Sequence, residues 1–396
     1  MKLAAKGSVS AGSISRSWAE IDLSAVAQNV RSVKRWVGSN CQIAAVVKAD
    51  AYGHGSCPVS RAALNAGAAW LAVAGVNEAI ALREDGITAP IMALSPIGRW
   101  EVESLLEHNV TPVTGDEDLL KALGSAARNA KRQAEFHLKI DTGMGRAGVL
   151  PEDAAILLQS LKQFMTDNSA AGLKLTGLAT HFASPDRAAA TKRQFTRFQQ
   201  VAGLIAGQYP GEKLTLHCSS SAAILSYPKM HLDMVRPGLL IYGIAPFQEA
   251  GNYLHLKAAL SLYTRIAVVR RLPAGTRLSY GGTHRLTRDS RIALIPVGYG
   301  DGYPRRLSNR GWALANGVQV PVVGRVCMDL TLMDVTDCPS AKAGDKVTLI
   351  GSGGLNASGG AVEITAAEIA KMIRTTPHEI TTCLTSRVER VYREGQ

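Results

Sequence analysis

Eight apolar stretches alternate with helical patterns between residues 43 and 236, and this alternation restricts the fold more than any other feature of the chain. The stretches are residues 43–47, 70–74, 90–94, 110–113, 136–140, 175–180, 214–218 and 234–236, and each reads as a strand. Between them run helical patterns such as 77–84, 116–130, 151–164 and 187–207, several opening with acids that suit the positive end of a helix dipole. A short strand at 18–23 comes first, followed by Val26, Val30, Val33 and Val37 at helical spacing. Eight such units over about 230 residues match the size of a (β/α)8 TIM-type barrel, an α/β fold whose catalytic groups sit where strands end. The strand ends here are Lys48, Asp141, His181, Ser219 and Arg236, all polar.

After Pro246 the pattern changes. Residues 248–256 read as a linker, and β-rich runs follow at 262–272, 291–297, 312–315, 318–323, 330–335 and 346–350. Pro273-Ala274-Gly275 closes the first run, and Asn316-Gly317 is a strong hairpin turn between the third and fourth. Thr365 and Glu368 form a capping box ahead of Ile369 and Met372, while 351–360 reads as a mobile loop. The expected organisation is an N-terminal extension at 1–16, a barrel at 17–250 and a C-terminal, mainly β domain at 251–396. Two domains are also the default for 396 residues.

Composition removes several classes of function. Hydrophobic residues make up 46% of the chain, which excludes a disordered protein. The net charge of +12 is spread among acids with no Lys/Arg run and no interleaved aromatics, so it indicates a solvated surface biased toward anionic ligands rather than a nucleic-acid groove. Six cysteines at 41, 57, 218, 327, 338 and 383 include no C-x-x-C pair, which suits a reducing compartment and gives neither a disulfide framework nor a zinc site. The first fifteen residues lack the apolar core of a secretory signal, and no stretch has the length and apolarity of a membrane span, so the cytoplasm is the expected location.

Within this frame, Val46-Val47-Lys48-Ala49-Asp50-Ala51-Tyr52-Gly53-His54-Gly55 brings one lysine to the end of a buried-looking strand and then breaks into small residues. A lysine at a strand end is ordinarily solvated. An aldehyde cofactor, however, needs one amine on a rigid element, with room beside it for a phosphate and a substrate. The two glycines leave that room, and Tyr52 supplies a hydroxyl.

The motif resembles the lysine motif of the alanine racemases, which use pyridoxal 5'-phosphate to interconvert L- and D-alanine, and further similarities run to the C-terminus. The resemblance implies that Lys48 carries the cofactor and serves as one base. Leu278-Ser279-Tyr280-Gly281-Gly282 is similar to the segment whose tyrosine is the second base, which nominates Tyr280. Taken alone, a tyrosine in a β domain ordinarily packs with its hydroxyl in water. A phenol of ordinary pKa, about 10, is also a weak base at neutral pH and needs positive charge or donors nearby. Thr180-His181-Phe182 and Met234-Val235-Arg236-Pro237-Gly238 resemble the elements that link the tyrosine through His181 to Arg236. An arginine has no acceptor to offer a protonated ring nitrogen, so Arg236 would keep the cofactor ring neutral and suppress transamination.

By the same resemblance the phosphate meets Tyr52, Ser221, the N–H groups of Gly238 and Leu239, and His378. Two positions depart from the family pattern: Ser220 stands where asparagine is usual, which removes an amide hydrogen bond there, and His378 stands where a tyrosine is usual, which implies altered phosphate contact and a wider pocket. Arg146, in Leu138-Lys139-Ile140-Asp141-Thr142-Gly143-Met144-Gly145-Arg146, would help fix the substrate carboxylate, and the backbone at Met328, within 323–329, would also contact the substrate. Lys139 would be carbamylated to steady Arg146. A head-to-tail homodimer with shared sites is implied, because the C-terminal domain of one subunit covers the barrel mouth of another in the family. No metal, nucleic-acid or membrane partner is expected. The alternatives are a broader-specificity amino-acid racemase, a related decarboxylase sharing Lys48, and a non-catalytic cofactor carrier that would leave the C-terminal domain without a purpose.

Overall fold

The computed structural model describes residues 15–167, 172–208, 213–355 and 361–394. Most of the expected N-terminal extension, and residues 356–360 of the expected loop, lie outside the described residues.

Eight parallel strands form the barrel: β2 (Gln42–Val46), β3 (Trp70–Val73), β4 (Ile91–Ala93), β5 (Val110–Thr114), β6 (Ala134–Lys139), β7 (Leu173–Ala179), β8 (Thr215–His217) and β9 (Met234–Val235). Hydrogen bonding runs β8-β7-β6-β5-β4-β3-β2-β9. The ring closes beyond β8, where the Arg236 N–H donates to the Ser219 carbonyl at 2.9 Å and Ser220 bridges Arg236 in parallel. Small residues such as Ala44, Ala45, Ala72 and Ala93 are fully buried in the strands. The outer helices are held by caps: Asp22 accepts from the Ala25 N–H at 2.9 Å to start Leu23–Val37, and Asp116 accepts from the Leu119 N–H at 3.0 Å to start Glu117–Asn129.

The C-terminal half is mainly β, as its composition suggests. One sheet has the order β16 (Val318–Pro321), β15 (Trp312–Ala315), β18 (Lys346–Leu355), β10 (Leu260–Arg265), β1 (Ser17–Asp22) and β20 (Glu389–Arg393), with β19 (Ala361–Ile364) also on β18. A second sheet joins β11 (Val268–Leu272), β14 (Ser290–Ile295) and β17 (Thr331–Asp334), and β12 (Arg277–Leu278) pairs with β13 (His284–Arg285). The first strand, placed by its position in the chain at the head of the barrel, instead pairs antiparallel with β10 and parallel with β20. The run 262–272 is two strands, because the backbone changes partners at its centre: Ile266 N–H donates to Asp345 and Ala267 N–H to Leu294. The stretch 351–360 is not all loop, since β18 continues through Gly351–Leu355 and pairs with β19. The linker at 248–256 contains a 3-10 turn, Gln248–Asn252, with Ala250 buried. At the Asn316-Gly317 hairpin both residues have positive φ, 49° and 81°, as the tight turn requires.

One continuous core spans barrel and large sheet, while Leu278, Leu286, Ile292 and Val323 form a separate small cluster next to the Tyr280 turn. The two halves also meet at the barrel mouth. Arg390 Nε donates to the Gly53 carbonyl at 3.1 Å, and a Cβ at Gly53 would lie 2.1 Å from the Thr381 carbonyl oxygen, so only glycine allows that approach.

Candidate active site

Lys48 stands two residues beyond β2, and the backbone then does something the sequence did not announce. Ala49, Asp50, Ala51 and Tyr52 all have φ between 52° and 54°, a full turn of left-handed helix without one glycine among them. Each such residue costs about 1–2 kcal/mol relative to the right-handed form. The turn is tied down on every side: Ala51 N–H donates to Val47 at 2.9 Å, Gly55 N–H to Asp50 at 2.9 Å, and Ser56 N–H to the Asp50 carboxylate at 2.8 Å. Glu78, from the helix Val76–Glu84, accepts from the N–H groups of Ala49 and Ala74, both at 2.7 Å, and so ties the turn to the end of β3. Such strain persists only where the surroundings over-determine it, and it marks a site.

This turn aims Lys48 and Tyr52 at the barrel mouth. Lys48 is half-buried, and its Nζ has no hydrogen-bond partner among the described residues. Burial, then the charge of Arg146, lowers the Lys48 pKa against a smaller opposing effect of Glu78. Tyr52 is buried with its ring 5.0 Å from Tyr242, and burial raises its phenol to about 12, so it stays a neutral donor. A Cβ at Gly238 would lie 2.5 Å from the Tyr52 hydroxyl oxygen, and the Gly238 N–H donates to Ser221 Oγ at 2.9 Å. Tyr52, Ser221 and Gly238, with Leu239 next in the chain, therefore line one cradle in which the Gly238 N–H is already taken by Ser221. Ser220 begins the turn Ser221–Ser226 with no side-chain cap bond, so the departure from asparagine leaves no amide there. His378, on Pro377–Thr382, brings its ring within 5.3 Å of Tyr52, and burial followed by the charge of Lys48 lowers its pKa.

On the other side of the mouth, Arg236 is buried, and both of its terminal nitrogens have partners. Its Nη1 lies 2.5 Å from His217 Nδ1, and its Nη2 donates to the Thr180 carbonyl at 2.7 Å and approaches His181 Nδ1 at 3.4 Å. Burial lowers the guanidinium to about 10, still charged at neutral pH. Burial, then Arg236, holds His181 at about 3, so that imidazole is neutral. Lys139, the last residue of β6, is buried, and burial followed by Arg236 and Arg146 lowers it to about 8. Asp141 shapes the neighbouring loop: its carboxylate accepts the N–H groups of Gly143, Met144, Gly145 and Arg146 at 2.8–3.1 Å. Burial opposes its ionisation, but these four bonds outweigh it and keep its pKa low.

The barrel mouth thus gathers Lys48, Tyr52, Lys139, Arg146, His181, Ser221, Arg236, Gly238, Leu239 and His378. Tyr280 and Met328 lie elsewhere. Tyr280 is 71% exposed and Met328 53% exposed, and among the described residues neither has a hydrogen bond or ring contact with the barrel groups. They are neighbours of each other's loops, since Ser279 Oγ donates to the Arg325 carbonyl at 2.7 Å, and Tyr299 and Leu330 beside them are exposed as well. His378 differs from both in meeting the Lys48 turn of its own chain. Ser219, a polar strand end, faces away: its hydroxyl donates to the Met230 carbonyl at 2.7 Å. Sequence reasoning missed Glu78 and His217. Glu78 sits in an ordinary helical pattern, and nothing in the spacing distinguishes His217 from any buried histidine.

Comparison with known proteins identifies the family. A family model for the alanine racemase N-terminal domain matches residues 21–246, and one for the alanine racemase C-terminal domain matches residues 259–392. The alanine racemase of Halothermothrix orenii is 41% identical over 383 residues, covering 95% of this chain and 96% of that protein. Among solved structures, the alanine racemase from D-cycloserine-producing Streptomyces lavendulae superposes with a TM-score of 0.88 at 35% identity, covering 97% of this chain and 99% of that one. The alanine racemase from Bartonella henselae with covalently bound pyridoxal phosphate gives a TM-score of 0.83 at 26% identity, over 96% of this chain and 100% of that one.

Proposed function

The chain belongs to the alanine racemase family of isomerases, and from that premise we propose that Lys48 and Tyr280 are the two bases that interconvert L- and D-alanine, with pyridoxal 5'-phosphate as cofactor. The observation that carries the reading is Lys48 itself: a half-buried amine without a hydrogen-bond partner among the described residues, held by a strained turn that also carries the Tyr52 hydroxyl up to the Gly238 backbone.

The residues fit the cofactor. Tyr52, Ser221, Gly238 and Leu239 would hold its phosphate, with His378 alongside, and Arg236 would face its ring nitrogen. When bound, the cofactor supplies the aldehyde that links to Lys48 and the electron sink that acidifies the substrate α-carbon. Arg236 would moderate that sink, because it offers donors only and so would leave the ring nitrogen unprotonated. Arg146 and the Met328 N–H, which has no backbone partner among the described residues, would anchor the substrate carboxylate. With the carboxylate fixed, Lys48 Nζ moves the α-proton on one face and the Tyr280 oxygen on the other. His181 has Nδ1 toward the Arg236 donors, which places its proton on Nε2, from where it would donate to the Tyr280 oxygen of a second copy.

Tyr280 and Met328 would come from a second copy of the chain in a head-to-tail homodimer. Their exposure, together with that of Tyr299 and Leu330, supports an interface there. The low pKa of Lys139 supports carbamylation, in which the neutral amine adds carbon dioxide and releases a proton. The product's negative charge would pair with Arg146 and Arg236 where an ammonium would repel both. An intact mass greater than the sequence by one carbon dioxide checks this, and an unmodified mass contradicts it.

The test of function is incubation of the cofactor-loaded protein with each alanine enantiomer in deuterium oxide, followed by chiral chromatography and mass spectrometry. Appearance of the opposite enantiomer carrying α-deuterium is expected. Release of carbon dioxide would indicate a decarboxylase, and no cofactor absorbance would exclude the cofactor. His378 favours a second reading, a racemase of wider range, because an imidazole occupies less of the pocket than a phenol. Under that reading a panel of L-amino acids gives inversion beyond alanine.

A further inference from the structure

His137 on β6 and His217 at the end of β8 are both buried in the barrel, and neither touches the cradle or the lysine. Their hydrogen bonds nevertheless have a fixed direction, set by Arg236. A guanidinium carries donors only, so His217 Nδ1, 2.5 Å from Arg236 Nη1, is an acceptor. A neutral imidazole has one proton, which must then lie on His217 Nε2. That atom is 2.8 Å from His137 Nδ1, which accepts in turn, leaving the proton of His137 on its own Nε2. An imidazolium at His217 would set N–H against N–H. Burial, followed by the charge of Arg236, keeps His137 neutral, at about 4, and lowers His217 well below its ordinary value. The two rings cross at 62° with centroids 5.0 Å apart, and Trp70 packs 5.6 Å from His137, so the pair has little freedom to reorient.

We propose that His137 is a positioning residue for the racemisation: acting through His217, it fixes the tautomer that gives Arg236 its acceptor and so holds the guanidinium plane where the cofactor ring nitrogen would lie. Only that last step rests on the cofactor reading above. Without His137 the Nε2–H of His217 is buried with no acceptor, and a ring flip or proton shift that relieves it withdraws Nδ1 from Arg236.

The experiment is long-range proton–nitrogen NMR on histidine-labelled, cofactor-loaded protein, with the variants His137→Asn and His137→Phe. In the wild type both rings should be neutral Nε2–H tautomers, unchanged between about pH 6 and 8. An Nδ1–H tautomer or an imidazolium at either position overturns the proposal. Asparagine keeps an acceptor near the place of Nδ1 and phenylalanine keeps none. H137F should therefore mix the His217 tautomers and lower kcat roughly tenfold to a hundredfold, with KM for alanine within about twofold, while H137N stays within about threefold of wild type. Equal losses in the two variants, or wild-type behaviour of H137F, overturn it too, and if H137F does not fold, the wild-type tautomers and H137N decide. Correct tautomers without any cofactor absorbance would defeat the cofactor reading and leave the relay standing.

Discussion

At the scale of single residues, the site is a set of positive and neutral groups with few negative ones. Burial works against the ammonium of Lys48 and Arg146 adds to it, so the amine loses its proton more easily than a surface lysine and can attack an aldehyde near neutral pH. Lys48→Ala should abolish the covalent cofactor absorbance, and a retained band would show that another amine carries it. The proposed second base gives a separable outcome. Tyr280→Phe, at a position already 71% exposed, should fold normally and keep that absorbance while racemisation falls by about 10²–10⁴-fold. Arg146→Ala should chiefly raise KM for alanine, because the carboxylate loses a bidentate partner. Some of these residues were legible in sequence because their types are chemically distinctive where strands end. His217 was not, since its role depends on standing 2.5 Å from an arginine nineteen residues away.

At the scale of elements, the left-handed turn after β2 determines where Lys48 points. Ala49 is exposed, so replacing it with glycine removes backbone strain without removing packing. Ala49→Gly should raise stability to denaturant by about 1 kcal/mol. It should also lower kcat, because the lysine is less firmly aimed. Unchanged stability would mean that the turn is not strained as its φ values indicate. Nothing in Ala49-Asp50-Ala51-Tyr52 foretold this turn, since no glycine or asparagine marks it, whereas the barrel strands were legible because each is short, apolar and regularly spaced. The break of 262–272 at Ile266 was not legible for a related reason: residues on both sides suit a strand equally, and only the partners at Asp345 and Leu294 separate them.

At the scale of the whole molecule, two consequences follow. His54, His137 and His181 are held at about 4, 4 and 3, first by burial, and His217 is lowered as well, against about 6.5 in an unfolded chain. Between those values the unfolded state binds more protons, so stability is full above about pH 6.5 and is lost as pH falls toward 4. Each proton taken up contributes a slope of about 1.4 kcal/mol per pH unit. Urea midpoints measured from pH 7 down to 5 should decline accordingly, and a flat profile would contradict buried neutral histidines. The second consequence concerns the reach of one chain. The division into barrel and β-rich half was legible from the change of pattern after Pro246, but the return of β1 to the distal sheet was not, because pairing across more than 200 residues leaves no local mark. The same separation leaves Tyr280 outside the mouth that holds Lys48. The most direct test is to mix inactive Lys48→Ala and Tyr280→Phe proteins in equal amounts, with subunit exchange and cofactor. Shared sites predict that activity returns to about a quarter of wild type, because half the dimers are mixed and each has one intact site. No recovery after verified exchange would contradict a site built from two chains.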